Sequence, residues 1–490
     1  MPSAGGNRLA RHWPAGPATD PPAGRLTTLA PGPQGQPDQP AGQPAMLFLQ
    51  GPSVKHATAT RPTVRVAPSP GALRPLLLSL LLLASAGSAA AQTAVAPAAA
   101  AASVPTPTLR AEVAKPLQAV QDAIKAANYP EAAARLAEAE AMPGLTPYEA
   151  YLVQRLKAPV LFGQDKPAGA LATFETVLAS PLLPAAERAA ILETTIKLAL
   201  QLKDYPRASR WMKSYAADGG GNAEIRRLYP QVLSVTGDHA GVVRELAPQV
   251  AADDAAKRAT PEASLRLLAG SQNALKDSAG YLVSLEKLAA STGKPEYWGE
   301  LIARSTGRDG FAGERLRIDI YRLMQTVGVK LGPGQTGDWA FRANQAGLPA
   351  EAQKLLDDGF SAGLLGKDDN AEADRKLREA ATKSARQEAA TLADNEAAAL
   401  KAKDGNAAFG LGLSVAGTGA HERALSLMNQ GVAKGGLRRP DDALLQLGLV
   451  AWRAGKVDEA KRHFAAVKGA DGAADLARLW TVYLTSPARQ

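Results

Sequence analysis

Three glycines in the segment 332–337 have the spacing of a phosphate-binding turn. Gly332, Gly334 and Gly337 match the pattern GxGxxG, in which glycine lets the backbone approach a pyrophosphate at the start of a helix. That chemistry requires a strand before the motif and a helix after it, within a βαβ unit. Here a helical pattern precedes the motif, and Pro333 occupies its second place. The sequence therefore predicts a loop and no bound cofactor.

Histidines are the next candidates, because imidazole serves both acid–base catalysis and metal binding near neutral pH. Beyond residue 92 the chain holds only His239, His421 and His463, each in a different helical segment. His421 is followed by Glu422, as in the HExxH motif of zinc proteases, but Leu425 stands where the second histidine belongs. We expect surface or packing roles for all three, no catalytic residue and no metal site.

Paired carboxylates and tryptophans allow both a structural and a functional interpretation. Asp253-Asp254, Asp357-Asp358 and Asp441-Asp442 fall near predicted helix ends, where capping explains them. The tryptophans are spread one per segment and either pack in the core or line a groove that grips a peptide or a sugar. The best candidates for groove lining are the segments KPEYW (294–298) and GDWAF (337–341). The tryptophans concerned are Trp211, Trp298, Trp339, Trp452 and Trp480.

The elements that must position these residues are best seen in the segment 441–467. Apolar residues recur there at helical spacing, break at Gly455, and resume on a second helical face that includes Phe464. Gly448 and Ala460 are small, and two helices joined by a short turn cross closely only where side chains are short. The segment is therefore predicted to be a helical hairpin.

The same hairpin pattern recurs along the chain at intervals of about 36 residues. Shared turn sequences (NYPEA, DYPRA, KVDEA) accompany the Ala-x3-large spacing, and weaker copies open at Val242 and Tyr281. From Ala132 to Ala460 the spacings sum to 328 residues, which corresponds to about nine helix pairs. The residues predicted to pack at the crossings are Ala132, Ala170, Ala208, Ala352, Gly412, Ala424, Gly448, Ala460 and Phe464.

This pattern resembles the tetratricopeptide repeat, clearly over 405–470 and more loosely over the rest of 109–487. The large aromatic residues that are usual in the first helix of that repeat are absent. The resemblance implies an all-α fold, a right-handed α-solenoid of stacked helical hairpins with a concave binding surface. It implies a scaffold or adaptor role, but no ligand-binding motif of the family can be carried over.

Composition agrees with a solenoid. The chain has 490 residues, of which 46% are hydrophobic and only 5% aromatic, and strand-like alternation is scarce. A solenoid needs no single large core, because each repeat buries its apolar face on its neighbours. The sequence contains no cysteine, which excludes disulfides, thiolate catalysis and a lipoprotein anchor.

Residues 74–92 have the pattern of a secretory signal. Arg74 precedes a leucine-rich run and then small residues, with an A-x-A site at Ala89 and Ala91 that predicts cleavage before Gln92. The alternative is a membrane anchor, but the apolar run is short for a span, and small residues rather than basic ones follow it. We expect an exported protein in the periplasm of a Gram-negative bacterium, without a stable membrane span after cleavage.

The 73 residues before this signal are unusual, because signal peptides begin close to their basic region. Residues 1–91 hold 15 of the 35 prolines. Either the leader is disordered, or the start is misassigned and translation begins at Met46 or near Val64. Residues 1–91 also carry seven Lys/Arg against two Asp/Glu, so of the net charge of +9 only +4 belongs to the remainder. A nearly balanced remainder gives no indication of a nucleic-acid partner.

The predicted organisation divides the chain into seven segments. They are a disordered leader or misassigned start (1–73), a signal peptide (74–91), a low-complexity linker (92–108), tetratricopeptide-like repeats (109–366), one or two long charged helices (367–404), two clear repeats (405–471), and a capping helix and tail (472–490). The charged segment could be a long repeat pair or a docking arm. The capping helix is expected because the last repeat would otherwise expose its apolar face.

Two functions remain open from the sequence. The first is a non-catalytic periplasmic scaffold that mediates protein–protein interaction, for example in a cell-envelope assembly or export system. The alternative is a helical module that binds glycan or associates with peptidoglycan. No stretch outside the repeats is long enough to hold a catalytic domain, so no enzymatic activity is expected. The repeat predicts a shape and leaves the protein partner and the binding face unknown.

Overall fold

The structure is a computed structural model that describes residues 108–367 and 369–489. Throughout this part of the chain the regular elements are helical, with twenty α-helices and no strand. The predicted leader, the signal peptide and all of the linker except Thr108 lie outside the described residues.

The twenty helices are numbered here in chain order. They are α1 Ala111–Lys125, α2 Tyr129–Glu140, α3 Pro147–Gly163, α4 Pro167–Ala179, α5 Ala185–Gln201, α6 Tyr205–Ala217, α7 Ala223–Val235, α8 His239–Ala255, α9 Glu262–Ala274, α10 Ser278–Thr292, α11 Pro295–Thr306, α12 Arg317–Thr326, α13 Pro333–Gln345, α14 Pro349–Ser361, α15 Ala371–Lys401, α16 Asn406–Gly417, α17 His421–Lys434, α18 Pro440–Arg453, α19 Val457–Ala466 and α20 Ala473–Thr485. A 3₁₀ turn, Pro487–Arg489, follows the last of them.

Most of these helices pack in consecutive pairs, so the chain is an all-α solenoid of helical hairpins, as predicted. The hairpins are α1–α2, α3–α4, α5–α6, α7–α8, α9–α10, α13–α14, α16–α17 and α18–α19, and each packs on a neighbour in the chain. The helices α11, α12, α15 and α20 stand outside this pairing. One of them, α15, has 31 residues, so this single helix is almost as long as a whole predicted repeat.

The recurring turn sequences have a local physical cause. Ala127 and Lys203 adopt left-handed backbone with φ of 54° and 58°, the position that Gly455 takes later with φ of 80°. In the first two of these turns the next residue then caps the following helix, whereas Lys456 after Gly455 makes no side-chain cap. The side chains of Asn128 and Asp204 accept the backbone N–H three residues further on, at 3.3 and 3.2 Å. Such caps satisfy N–H groups that the first turn of a helix leaves without a partner.

The residues predicted to pack at the crossings lie in the interior. A Cβ built on Gly412 would lie 2.7 Å from Met428 Cγ, and one on Gly448 would lie 2.6 Å from the Phe464 ring. At these crossings glycine therefore allows a closer approach than any other residue would. The other predicted positions are also buried: Ala132, Ala170, Ala208, Ala352, Ala424, Ala460 and Phe464.

The charged segment predicted over 367–404 contains one continuous helix, α15. Most of its residues are exposed, and the few that are buried include Ala381 and Ala399. It packs against α14 and α16, and it also contacts α13. A long helix therefore replaces a hairpin between two stretches of regular repeats.

The last helix, α20, does more than cover the end of the array. Besides α18 and α19, it packs on α10, α11 and α12, which lie far earlier in the chain. The ring of Tyr483 lies edge-on to that of Trp298, with centroids 6.1 Å apart. Arg478 pairs with Glu286 at 2.8 Å, and the N–H of Ala312 donates to the carbonyl of Asp471 at 2.7 Å. Helices α10 to α20 therefore form a closed circuit of contacts.

At the other end of the described chain, a buried carboxylate fixes the start of the array. Glu149 is fully buried and accepts hydrogen bonds from Arg110 Nε at 2.9 Å and from the backbone N–H of Thr146 at 2.9 Å. The bonds from Arg110 and then from Thr146 lower the pKa of Glu149 to about 2. Since an unfolded glutamate titrates near pH 4.3, the ionised form stabilises the fold above that pH.

We expect the effect of Glu149→Gln on stability to depend on pH. The variant should lower the thermal midpoint at pH 7. The difference from the wild-type chain should shrink as the pH falls from about 5 towards 2, because the unfolded wild-type chain then binds a proton at Glu149 that the folded chain does not. The matched control is Glu138→Gln, which changes an exposed carboxylate paired with Arg135 at 3.0 Å. A midpoint difference for Glu149→Gln that stays constant between pH 7 and pH 3 would contradict this account.

Candidate binding cleft

A cleft of about 610 Å³ lies between the first turns of α13 and α15. We call it the α13–α15 cleft. Its wall on α13 is formed mainly by residues of the GxGxxG segment, and its wall on α15 by the start of the long charged helix. The lining residues are Pro333, Gly334, Gly337, Asp338, Phe341, Asn370, Ala373, Asp374, Lys376 and Leu377.

The glycine motif contributes to this cleft as part of a helix, so the predicted loop is wrong. Gly332 is the residue before α13, and the remaining residues of the motif form the first turn of that helix. The preceding element is the helix α12, so the βαβ context of a dinucleotide site is absent here. A Cβ on Gly334 would meet no atom within 4 Å, and one on Gly337 would lie 3.5 Å from Asp374 Oδ1. The missing side chains leave open space in the cleft.

An exposed aromatic side chain forms the apolar part of the cleft. Phe341 is 49% exposed, although its neighbours Trp339 and Ala340 are buried in the core. Residues two positions apart on a helix point to different sides, so burial of Trp339 turns Phe341 outward. Leu377 and Ala373 of α15 line the other side. The sequence predicts a groove role for the tryptophan of segment 337–341, but the residue of this segment that faces the cleft is Phe341.

A buried carboxylate forms the polar part of the cleft. Asp374 is only 8% exposed, and its carboxylate accepts one long hydrogen bond, from the backbone N–H of Gly366 at 3.4 Å. Among the described residues, no lysine, arginine or histidine forms an ion pair with it. The other charged groups of the cleft are paired: Asp338 with Arg342 at 2.9 Å, and Lys376 with Glu372 at 2.6 Å. Asp374 lies in the charged segment 367–404, and nothing in the sequence distinguishes it from the exposed acidic residues around it.

A buried ionic network holds the helix that carries the cleft. Arg322 of α12 pairs with Asp319 at 2.8 Å and with Glu351 of α14 at 2.5 Å. Trp339 of α13 donates its indole N–H to Glu351 at 3.2 Å. Burial alone would raise the pKa of Glu351, but the charge and hydrogen bonds of Arg322 hold it below its ordinary value. Burial raises the pKa of Asp319 despite the same arginine. The network therefore joins α12, α13 and α14.

The structure leaves the histidines apart. Nδ1 of His239 lies 3.3 Å from Ser271 Oγ, and Nε2 of His463 lies 3.6 Å from Glu459. Nδ1 of His421 is buried without a hydrogen bond, and burial followed by the charge of Arg453 lowers the pKa of His421. Within residues 108–367 and 369–489, no group of three His, Asp or Glu is placed to hold a metal ion.

The tryptophans proposed as groove residues lie in the core. Trp298, Trp339 and Trp480 are each 1% exposed. The prediction that the tryptophans of segments 294–298 and 337–341 line a groove is therefore wrong. Trp480 stacks on Phe464 with ring centroids 6.0 Å apart and packs against Trp452 at 5.4 Å. These rings hold α18, α19 and α20 together.

One member of each acidic pair forms an ion pair that joins two elements, in place of the predicted helix capping. Asp254 pairs with Lys287 at 2.6 Å and Asp357 with Arg378 at 2.6 Å, each joining two helices. Asp442 pairs with Arg315, which joins α18 to the segment before α12. Neighbouring repeats are therefore joined by charge as well as by apolar packing. The more exposed pairs, those of Asp254 and Asp357, each contribute only about 0–1 kcal/mol.

Comparison of the chain with protein-family models and with curated proteins gives no match in either case. The cleft must therefore be interpreted from its own chemistry. Of the helices in the described ranges, none is both long enough and apolar enough to cross a membrane.

Proposed function

We propose that this protein is a non-catalytic scaffold that binds protein partners. The observation that carries the proposal is the α13–α15 cleft, in which the exposed ring of Phe341 stands on helices fixed by a buried network. A large aromatic side chain in a preformed concave site is the usual anchor of a protein interface. The hairpin array is the kind of fold on which such surfaces are commonly presented. In this proposal the chain is an exported tetratricopeptide-repeat protein of a bacterial envelope.

The proposed location rests on the sequence of residues 74–91 alone. It is tested by sequencing the amino terminus of the protein recovered from the periplasmic fraction of cells that express the full chain. We expect it to be Gln92. A chain that keeps residues before Arg74 and stays in the cytoplasm would contradict export, and peptides from 1–45 in cells would contradict a start at Met46 or near Val64.

The binding role is tested by cross-linking in intact cells, followed by purification of the full chain through a carboxyl-terminal tag. We expect the same envelope proteins to be recovered in repeated experiments, and to be lost with Phe341→Ser. The matched control is Val283→Ser, because Val283 is 52% exposed on α10, outside the cleft. Loss of the same proteins with both variants, or with neither, would contradict the cleft as the binding site.

The alternative function, glycan or peptidoglycan binding, loses the observation that favoured it, since Trp298 and Trp339 are buried. It keeps a simple test, which is whether the purified full chain sediments with isolated peptidoglycan. Sedimentation that Phe341→Ser leaves unchanged, together with no cross-linked proteins, would favour the alternative and contradict the scaffold.

A further inference from the structure

We propose that the α13–α15 cleft recognises a partner segment in which a lysine or arginine side chain lies next to an apolar one. This inference rests on the proposed function and adds the chemistry of the partner. It depends on one charge, one apolar wall and one open space, and each of these is visible in the structure.

The charge is that of Asp374. A buried carboxylate is normally paired or accepts several hydrogen bonds, because taking an ion out of water costs several kcal/mol. Asp374 is 8% exposed and accepts a single hydrogen bond of 3.4 Å from Gly366. An ammonium or guanidinium group entering the cleft would supply the missing counter-charge. Such charge-assisted bonds are among the strongest polar contacts that a protein makes.

The sign of the ligand follows from the remaining charges of the cleft. The carboxylate of Asp338 accepts from Arg342 at 2.9 Å and from the hydroxyl of Tyr321 at 3.0 Å. The ammonium of Lys376 is paired with Glu372 at 2.6 Å. Once these pairs are set aside, the remaining full charge is the negative charge of Asp374, which the partial positive charge at the start of α15 offsets only in part. A phosphate or a free carboxylate would add a second negative charge beside Asp374, so a cationic group is the complementary ligand.

The apolar wall determines what must accompany the cation. Phe341 is half exposed, and the lining of the cleft also includes Leu377 and Ala373. A volume of about 610 Å³ lies within the range of ordinary ligand pockets. Lysine and arginine also bury their aliphatic stems on apolar surface while the charged end finds a partner. An apolar side chain beside the cation would cover Phe341 and exclude water from the ion pair.

The test uses short peptides as probes of the full chain. N-acetyl-Phe-Arg-amide carries an apolar side chain and a cation. N-acetyl-Phe-citrulline-amide keeps the shape of arginine without its charge, and N-acetyl-Phe-Glu-amide replaces the positive charge by a negative one. Dissociation constants are measured by ligand-observed NMR titration. We expect the arginine peptide to bind about tenfold or more tightly than the citrulline peptide, and the glutamate peptide to bind weakest. Equal affinity of the arginine and citrulline peptides, or no binding of either, overturns the proposal.

Two variants place the binding in the cleft. Gly334→Leu adds a side chain where a Cβ meets no atom within 4 Å, so it should fill the cleft and abolish binding without unfolding the chain. Its matched control is Gly410→Leu, which also projects into open space but lies on α16. Asp374→Asn should remove the preference for arginine over citrulline. Unchanged affinity in Gly334→Leu, or an unchanged preference in Asp374→Asn, overturns the assignment to this cleft.

These outcomes separate the inference from the function on which it rests. If cross-linked partners depend on Phe341 while the peptides show no preference for a cation, the scaffold stands and the inference fails. If no partner is recovered in cells while the arginine peptide binds in the cleft, the cleft chemistry stands and the scaffold role fails.

Discussion

Arg322→Met is expected to destabilise the protein by about 3–5 kcal/mol, the cost of breaking a buried ion pair by removing one partner. The substitution leaves Asp319 and Glu351 buried without the guanidinium that contacts both, at 2.8 and 2.5 Å. Methionine retains much of the volume of arginine, so the loss would come from the uncompensated carboxylates rather than from a cavity. The measurement is the free energy of unfolding from urea denaturation of the full chain.

A nearby arginine could offset part of this loss. Burial, followed by the charge of Arg322, lowers the pKa of Arg453, so the two guanidinium groups repel each other in the wild-type chain. Removing Arg322 relieves that repulsion and leaves Arg453 beside the same carboxylates. We therefore expect an effect towards the lower end of the range.

The matched control for Arg322→Met is Lys354→Met. Lys354 pairs with Asp358 at 2.8 Å, but both side chains are exposed. Exposed pairs contribute about 0–1 kcal/mol, so the control should barely change the free energy of unfolding. A change below about 1 kcal/mol for Arg322→Met would show that the network is dispensable for stability.

Gly412→Ala is expected to destabilise the protein by about 1–3 kcal/mol through overpacking. The added Cβ would lie 2.7 Å from Met428 Cγ, 2.8 Å from the carbonyl oxygen of Ala424 and 2.9 Å from the backbone nitrogen of Met428. Two of these three atoms belong to the backbone of α17, so the hairpin must open for the methyl group to fit. The free energy of unfolding and the urea midpoint measure the effect.

Gly410→Ala is the control on the same helix. A Cβ on Gly410 would meet no atom within 4 Å, and alanine is a better helix former than glycine by about 1 kcal/mol. The control should therefore leave stability unchanged or raise it, while Gly412→Ala lowers it. If both variants shift stability in the same direction by similar amounts, helix propensity rather than the close crossing governs this hairpin.

Local features of this chain could be predicted because they depend on residues close together in sequence. Ala127 and Lys203 end one helix with left-handed backbone, and the next residue, Asn128 or Asp204, caps the following helix. The turn therefore recurs where this short sequence recurs. Gly412 contacts Met428 and Gly448 contacts Phe464, in each case a partner within the same hairpin. Short-range sterics and capping therefore suffice to predict the helices and their pairing.

Contacts between distant repeats could not be predicted in the same way. The docking of α20 on α10 to α12 depends on Tyr483 meeting Trp298 and on Arg478 meeting Glu286, partners separated by more than 180 residues. In sequence, the apolar face of α20 is consistent with a simple cap. Which neighbour covers that face is decided by the accumulated rotation of all the repeats between them.

The cleft shows the same division between sequence and tertiary structure. The residues 332–337 stand out in sequence because glycines at that spacing are unusual, yet the spacing alone indicates a loop or a phosphate site. Only packing turns Trp339 into the core and leaves Phe341 in solvent, and only the approach of α15 brings Asp374 to Gly337. The sequence by itself determined an all-α hairpin array, because helix periodicity and capping are local. The tertiary structure decided which side chains share a cleft, because burial depends on neighbours that come from distant repeats.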